Sequence, residues 1–562
     1  MTIHPSRNTS MSNSKPSPIE KIKTSSKGLR GTLQESLQDE ITGAVREQDH
    51  ALIKFHGMYE QDDRDVREER AAKKLDKLYS FMIRLRIPGG YMKADQWVAA
   101  HHIAGNYSTG VVKITTRQTI QLHGILKHQI KPTLQDFNAV HLDSIAACGD
   151  VNRNVACTSH PSESPIHEEV HAYADKISRL LLPKTRAFYE IWLDEEKLVE
   201  YDETDPLYQD RYLPRKFKIG IAIPPNNDVD VLTNDLGLIA IIENGKLTGF
   251  NIAVGGGLST THGNPDTYAR LATVIGFTAG EEKTLKAVYE VLTIQRDFGN
   301  RSDRKLARLK YTLDKMGIDA FRKELEQRCG FELEETKPYN FTARTDRYGW
   351  QADHRGNWHY TLFVENGRVT DEVDVPLKTA LLEIAETGKI IFRFTSNQNL
   401  ILSEIQPDDK PVIESILQRY GILERDESIG LMRKNSIACV ALPTCPLALA
   451  EAQRYLPSLI SSLEPLLEKH QLKEEGIITR MTGCPNGCAR PYAAEIGLVG
   501  TGPGRYNLHL GGDREGTRLN TRYREQLDEA GILSELDIVF DQYNKNKKEQ
   551  ENFGDYVQRT IL

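Results

Sequence analysis

The chain has 562 residues, 39% hydrophobic and 27% charged, with a formal net charge of -7. That length exceeds what one core supports, predicts about three domains and leaves room to bury a large cofactor. No run of about eighteen apolar residues could span a bilayer, the acidic balance argues against a general nucleic-acid binder, and seven cysteines without a secretory signal suit cytoplasmic thiols or metal ligands better than a disulfide scaffold.

Residues 1–28, MTIHPSRNTSMSNSKPSPIEKIKTSSKG, are rich in Ser, Lys and Pro but have no apolar core or small-residue cleavage site, which predicts a disordered tail and not a signal peptide. Residues 29–75 are polar, with a helix expected near Gln34–Arg46 and an acidic run at Gln61–Asp65, and suit an arm laid over other domains. Within 76–147, FMIRLRIPGG, KADQWVAAHHIAG and GVVKITTRQTIQLHGI read as strand, helix and strand. A larger α/β unit is expected over 148–344. The run Arg301, Arg304, Lys305, Arg308, Lys310 inside it reads as a solvated helix face, or else as a clamp for a carboxylate-rich cofactor. After Tyr348 the smaller plan returns in 345–424, as WHYTLFVENGRV, LKTALLEIAETG and KIIFRFTSNQNLILSEI, about 280 residues later. A second α/β unit is expected over 425–562.

The order implies an internal duplication. Lys113-Ile-Thr115-Thr-Arg117-Gln118 aligns with Arg393-Phe-Thr395-Ser-Asn397-Gln398, and Arg153-Asn-Val-Ala-Cys157 with Asn435-Ser-Ile-Ala-Cys439. Four matching blocks in one order outweigh chance, and a duplicated enzyme keeps its chemistry in the cleft between halves. One half brings positive charge and the other brings sulfur.

The sulfur is Cys439-VALPT-Cys445 and, after 38 intervening residues, Cys484-PNG-Cys488. Four thiolates can hold one [4Fe-4S] cluster. Structural zinc prefers shorter knuckles, and unligated core cysteines remain the plainest alternative. Local sequence favours ligands: Pro446 suggests that Cys445 stands at a helix N-terminus, where a thiol is acidified, and Asn486 and Gly487 tolerate the turn that aims backbone amides at sulfur. Cys148, Cys157 and Cys329 have no close partner in the sequence and are read as core.

The charge is spread over separate segments: Arg84 and Arg86 before Pro88-Gly89-Gly90, Arg117, Arg153, and Arg215-Lys216-Phe217-Lys218. Lys216 and Lys218, two apart in extended chain, share a face, and several cations converging can hold an oxyanion and donate protons to it. His123, on the strand after Arg117, reads equally as a functional or a satisfied core histidine. Gly255-Gly256-Gly257 and Gly500-Thr-Gly502-Pro-Gly504 do not complete a dinucleotide fingerprint. Electrons must therefore come from another protein.

These residues resemble the sirohaem sulfite and nitrite reductase superfamily, and within it the haemoprotein (beta) subunits of assimilatory sulfite reductase. The likeness runs from Leu29 to Leu562 and includes KFHGMYEQDDRD, RLRIPGG, TTRQTIQLHG, DVNRNVACTS, LPRKFK, NIAVGGGLS, CVALPTCPLA, TGCPNGCARPYAAEIGLVG and GRYNLHLGGD. It implies an α+β and α/β, three-domain fold with pseudo-twofold symmetry: ferredoxin-like halves at 76–147 and 345–424, an α/β sirohaem-binding domain at 148–344 and an α/β [4Fe-4S]/sirohaem domain at 425–562. It implies six-electron reduction of sulfite to sulfide. By resemblance, Cys439, Cys445, Cys484 and Cys488 ligate the cluster and Cys488 also the sirohaem iron. Arg84, Arg153, Lys216 and Lys218 bind substrate and deliver protons, while Arg117, His123, Arg215 and Asn486 lie around the sirohaem carboxylates or edge. Nitrite is the rival substrate, but related nitrite reductases carry Arg at the place of His123. A zinc-stabilised module without catalysis is the rival from another class. The implied donor is an NADPH-dependent flavoprotein (alpha) subunit, or ferredoxin, in the cytoplasm. One departure is Lys113, where some members have Arg, which loses a bidentate fork.

Overall fold

The computed structural model describes residues 15–160, 164–196 and 204–562, which are organised around four five-stranded sheets. In one, the strands run in the order Met58–Asp62, Tyr79–Arg84, Ile120–Ile125, Val112–Ile114 and Arg368–Val369, each antiparallel to the next. In its counterpart the order is Gly349–Ala352, Trp358–Leu362, Leu400–Ile405, Ile391–Phe394 and Tyr91–Lys93, again antiparallel. Each sheet takes its last strand from the other half. Glycine makes the exchange possible: Gly90 has φ 78° and a Cβ on it would stand 2.7 Å from the Phe394 carbonyl oxygen, while Gly367, φ 70°, lies tighter still, 2.3 Å from the Ile114 carbonyl oxygen. Helices Ala94–Tyr107 and Leu377–Glu386 pack together beside the exchanged strands, and Trp97 stacks on Phe392 at 4.5 Å.

The other two sheets share one topology. Ala156–Cys157, Ile219–Ala222 and Leu236–Glu243 are parallel, followed by antiparallel Lys246–Val254 and Thr273–Ala279; Ser436–Ala438, Thr479–Thr482 and Ile496–Gly502 are parallel, followed by antiparallel Arg505–Leu510 and Thr521–Leu527. Register makes the equivalences definite. Ile219 pairs with Leu236 and Thr479 with Ile496, so Asp230 corresponds to Arg490, Asp228 to Cys488 and Pro224 to Cys484. Both Asp230 and Arg490 are left-handed, and each opens a short 3-10 turn. Cys157 pairs with Ile221 and Ala438 with Met481, so the expected alignment of Cys157 with Cys439 is one residue out: Thr158 is the counterpart of Cys439.

The segment joining the halves closes the first half's copy of the cysteine turn. Asn227 donates to the Ala343 carbonyl at 2.7 Å, and Thr342 to the Pro225 carbonyl at 2.9 Å. Arg344, fully buried, meets Asp230 at 3.1 Å.

Three local expectations are corrected. Residues 1–14 of the expected tail lie outside the described residues, but Pro18–Thr24 is a helix. Its Lys23 is buried, donates to the Leu213 carbonyl at 2.7 Å and pairs with Glu20 at 2.5 Å, so charge and not apolar content anchors it. The arm helix is only Leu33–Gln38, ending at an extended Asp39. The Arg301–Lys310 run is not a solvated helix face: Arg304 pairs with Asp150 at 2.7 Å, Arg308 with Asp235 at 2.7 Å, and Lys310 is buried on the carbonyls of Gly257 and Ser259.

Candidate active site

The cysteines lie on turns that leave parallel strands. Cys439 follows the Ser436–Ala438 strand, and the Gly483 N–H donates to its sulfur at 3.4 Å. In the first half the Ile223 N–H donates to the Thr158 hydroxyl at 3.1 Å, so sulfur stands where the other half has oxygen. Cys484 follows the Thr479–Thr482 strand and accepts from Asn486 Nδ2 at 3.6 Å. Gly487, φ 64°, turns the chain back to Cys488, and a Cβ there would be 3.1 Å from the Tyr492 ring. Cys445 is not at a helix start, contrary to expectation: turns follow it and the next helix is Leu456–Lys469. The N–H groups of Leu447 and Ala448 still face its sulfur, supplied by the turn alone.

Burial and then the neighbouring thiols push Cys439, Cys445 and Cys484 up, Cys484 to about 11. Such a set ionises only against a cation. Each of the three also feels Cys488, so the four thiols lie together. A cubane takes one thiolate per iron, and its sulfurs stand apart. Four grouped thiols fit the four irons of one [4Fe-4S] cluster.

Cys488 is exposed, and it lines a cleft together with Arg117, Lys216, Lys218, Arg308, Asn486 and Arg490. Lys216 and Lys218 flank Phe217, which is buried and bridges to Asn152, so both reach the cleft. Burial, with Arg215 and Arg308 beside it, lowers Lys216 to about 7; burial and Lys216 take Lys218 well below the usual lysine range. Arg117 is lowered to about 9 by burial and Arg490. Its Nη atoms donate to Asn234 Oδ1 and the Ile219 carbonyl at 2.6 Å each, and its buried Nε has no partner. Asp235 is already committed to Arg308. Crowded buried cations with an orphaned donor fit a polyanion.

Arg84, Arg153, Arg215 and His123 do not line this cleft. Arg153 donates to the Gly149 and Ala147 carbonyls at 2.8 and 3.3 Å, and Arg215 is lowered to about 10 by burial and Arg304; both stand near enough to bear on Lys216. Arg84 donates to Gln121 Oε1 at 2.8 Å and to the Cys148 sulfur at 3.3 Å. His123 bonds Gln61 and Gln121 at 2.9 Å each, and burial lowers it to about 3, so it is neutral and satisfied. Arg86 belongs to an ion pair with Asp143 and does not join the cleft. Arg308 and Arg490 are additions. Arg308 was visible in the charge run, whereas Arg490 had no signal beyond its nearness to Cys488.

The family model described as "Nitrite/Sulfite reductase ferredoxin-like half domain" matches residues 73–140 and 351–420. That described as "Nitrite and sulphite reductase 4Fe-4S domain" matches 172–333, in the half that lacks the paired cysteines, as the duplication allows. The chain is 64% identical over 541 residues to the "Sulfite reductase [NADPH] hemoprotein beta-component" of Leptospira biflexa, covering 96% of this chain and 97% of the relative. It is 50% identical to the protein of that name from Bacillus subtilis, covering 97% and 95%. The solved structure of the Mycobacterium tuberculosis NirA protein shares the fold, with a TM-score of 0.78, 24% identity and 97% of each chain covered. With relatives this similar along nearly its whole length, and both halves of the ferredoxin-like duplication matched, the chain belongs to the nitrite and sulphite reductase family.

Proposed function

We propose that this protein is the catalytic haemoprotein component of an assimilatory sulfite reductase, reducing sulfite to sulfide for cysteine biosynthesis. The observation that carries this is the cationic cleft onto which Cys488 opens, where Arg117, Lys216 and Lys218 lie beside Arg308 and Arg490, whose charges Asp235 and Asp230 already meet. Cys439, Cys445, Cys484 and Cys488 hold a [4Fe-4S] cluster, Cys488 also meets the sirohaem iron, and Arg117, His123, Arg215 and Asn486 border the sirohaem. When bound, these groups would supply one-electron transfer to the substrate.

The chain's own residues do the rest. Sulfite is a pyramidal dianion whose three oxygens must leave as water, so charge and protons are needed together. Arg84 and Arg153 bond only neutral acceptors in the contacts above, which leaves their charge for the anion. Lys216, at about 7, can give a proton and regain it near neutrality. Arg117, with a buried Nε left over, keeps its charge and holds carboxylates without acting as an acid. His123, neutral and hydrogen-bonded on both nitrogens, orients Gln121 and through it Arg84. Electrons come from an NADPH-dependent flavoprotein (alpha) subunit, with ferredoxin the other candidate donor. No described helix is long and apolar enough to cross a membrane, and the cytoplasm is the compartment this reading implies.

The purified protein should be coloured, with about five irons per chain and acid-labile sulfide; a colourless zinc protein would end the proposal. Sulfite should give the higher kcat/KM and nitrite the lower, and the reverse order would make nitrite the substrate. Lys216→Met should slow sulfide formation roughly 10²-fold or more, the range for a lost proton donor, with the haem spectrum unchanged.

A further inference from the structure

We infer that Arg64, on the N-terminal arm, is a positioning residue for the cluster: its guanidinium clamps the loop that carries Cys445 and sets positive charge beside that residue. The inference rests on the cluster reading above. Arg64 lies just past the Met58–Asp62 strand, far from the loop in sequence, yet all three of its nitrogens turn to that loop. Nε donates to the Pro443 carbonyl at 3.3 Å, Nη1 to the Ala448 carbonyl at 3.0 Å, and Nη2 to the carbonyl of Cys445 itself.

The loop needs such a clamp. It has no regular helix or strand from Val440 to Tyr455. On its inner side Leu449 and Ala450 donate to the Gly483 carbonyl at 2.7 and 3.0 Å. On its outer side Leu447 and Leu449 are exposed, and Arg64 supplies the donors that hold carbonyls in one plane. The neighbouring carboxylates have closer partners: Asp62 pairs with Arg67 at 2.5 Å, and Asp65 with Arg454 at 2.6 Å. A fixed positive charge favours the more negative, reduced form of a cluster and so raises its reduction potential.

Two properties follow. The bonds hold Cys445 on its iron, and the charge tunes the potential. Arg64→Gln keeps partial bonding without charge, whereas Arg64→Lys keeps charge without the planar fork. Asp65→Asn serves as a control, because it breaks an arm-to-loop ion pair that does not touch the cysteine loop carbonyls. The arm stays docked in all three through the five-residue ladder between Met58–Asp62 and Tyr79–Arg84. The experiment measures, on the holoprotein, iron release to a chelator and the cluster potential by a spectroscopically monitored redox titration. Arg64→Gln should release iron roughly tenfold faster, the low end for loss of an outer-shell partner, and titrate at a lower potential. Arg64→Lys should release iron faster but keep the potential, and Asp65→Asn should match the unsubstituted protein in both. Unchanged release and potential in Arg64→Gln would overturn the inference, as would Asp65→Asn reproducing its defects, which would assign them to a loosened arm. An unsubstituted protein without labile sulfide would instead overturn the cluster reading.

Discussion

Lys216 and Lys218 show how much a single side chain's meaning depends on its surroundings. In the sequence they are two cations in an extended segment; in the fold they are buried beside Arg117, Arg215 and Arg308. Lys216 falls from 10.5 to about 7, so between those values the unfolded chain binds more protons than the folded one. Stability of the cofactor-free protein therefore rises with pH across that window, and the penalty is fully present at and below neutrality. From Lys216 alone the rise between pH 7 and about 10 is on the order of 4 kcal/mol. Thermal melting of cofactor-free protein should show it, pyrophosphate should raise the neutral-pH midpoint, and Lys216→Met should flatten the profile. A pH-independent midpoint would contradict the buried-cation account. His123 illustrates the other outcome, since its two glutamine partners make it a satisfied neutral ring, a possibility that sequence left level with function.

At the scale of elements, the Cys484–Cys488 turn was legible because its residue types leave few conformations. Gly487 takes φ 64°, and an added Cβ would meet the Tyr492 ring at 3.1 Å. Gly487→Ala should therefore lose about 1–2 kcal/mol from the left-handed conformation alone and shift Cys488, read as a lower melting temperature and reduced iron content. The Cys445 turn was less legible. Cys-Pro suggested a helix start, but the following residues are committed to Gly483 and Arg64, and the helix waits until Leu456–Lys469. Tertiary partners overrode a local preference of fractions of a kcal/mol. The same override explains the arm, where the helix stops at Gln38 and the rest is held by contacts such as Val45 N–H to Glu60 at 2.7 Å.

Across the whole molecule the two halves meet through the symmetry-equivalent residues Asp230 and Arg490, which pair at 3.0 Å. Arg480 and Arg344 join them at 2.6 and 3.1 Å. Asp230 is fully buried, and despite that burial the three arginines hold its carboxyl well below the usual range. The stability it contributes is present above the ordinary carboxylate range and is lost only in strong acid. Asp230→Asn leaves three buried guanidinium groups short of charge and should cost about 3–5 kcal/mol, seen as a lower denaturation midpoint; an unchanged midpoint would mean that water or the Asp513 carbonyl suffices. The sequence by itself determined the duplication, the four cysteines, the cationic segments and the family likeness, because each is written in local residue types and spacings. Tertiary structure alone decided the one-residue register that sets Cys439 against Thr158, the exchange of edge strands, the use of Arg308 and Arg490 in the cleft, and the reach of Arg64 to the Cys445 loop. Those depend on strand pairing and on contacts between residues hundreds of positions apart, which no local pattern specifies.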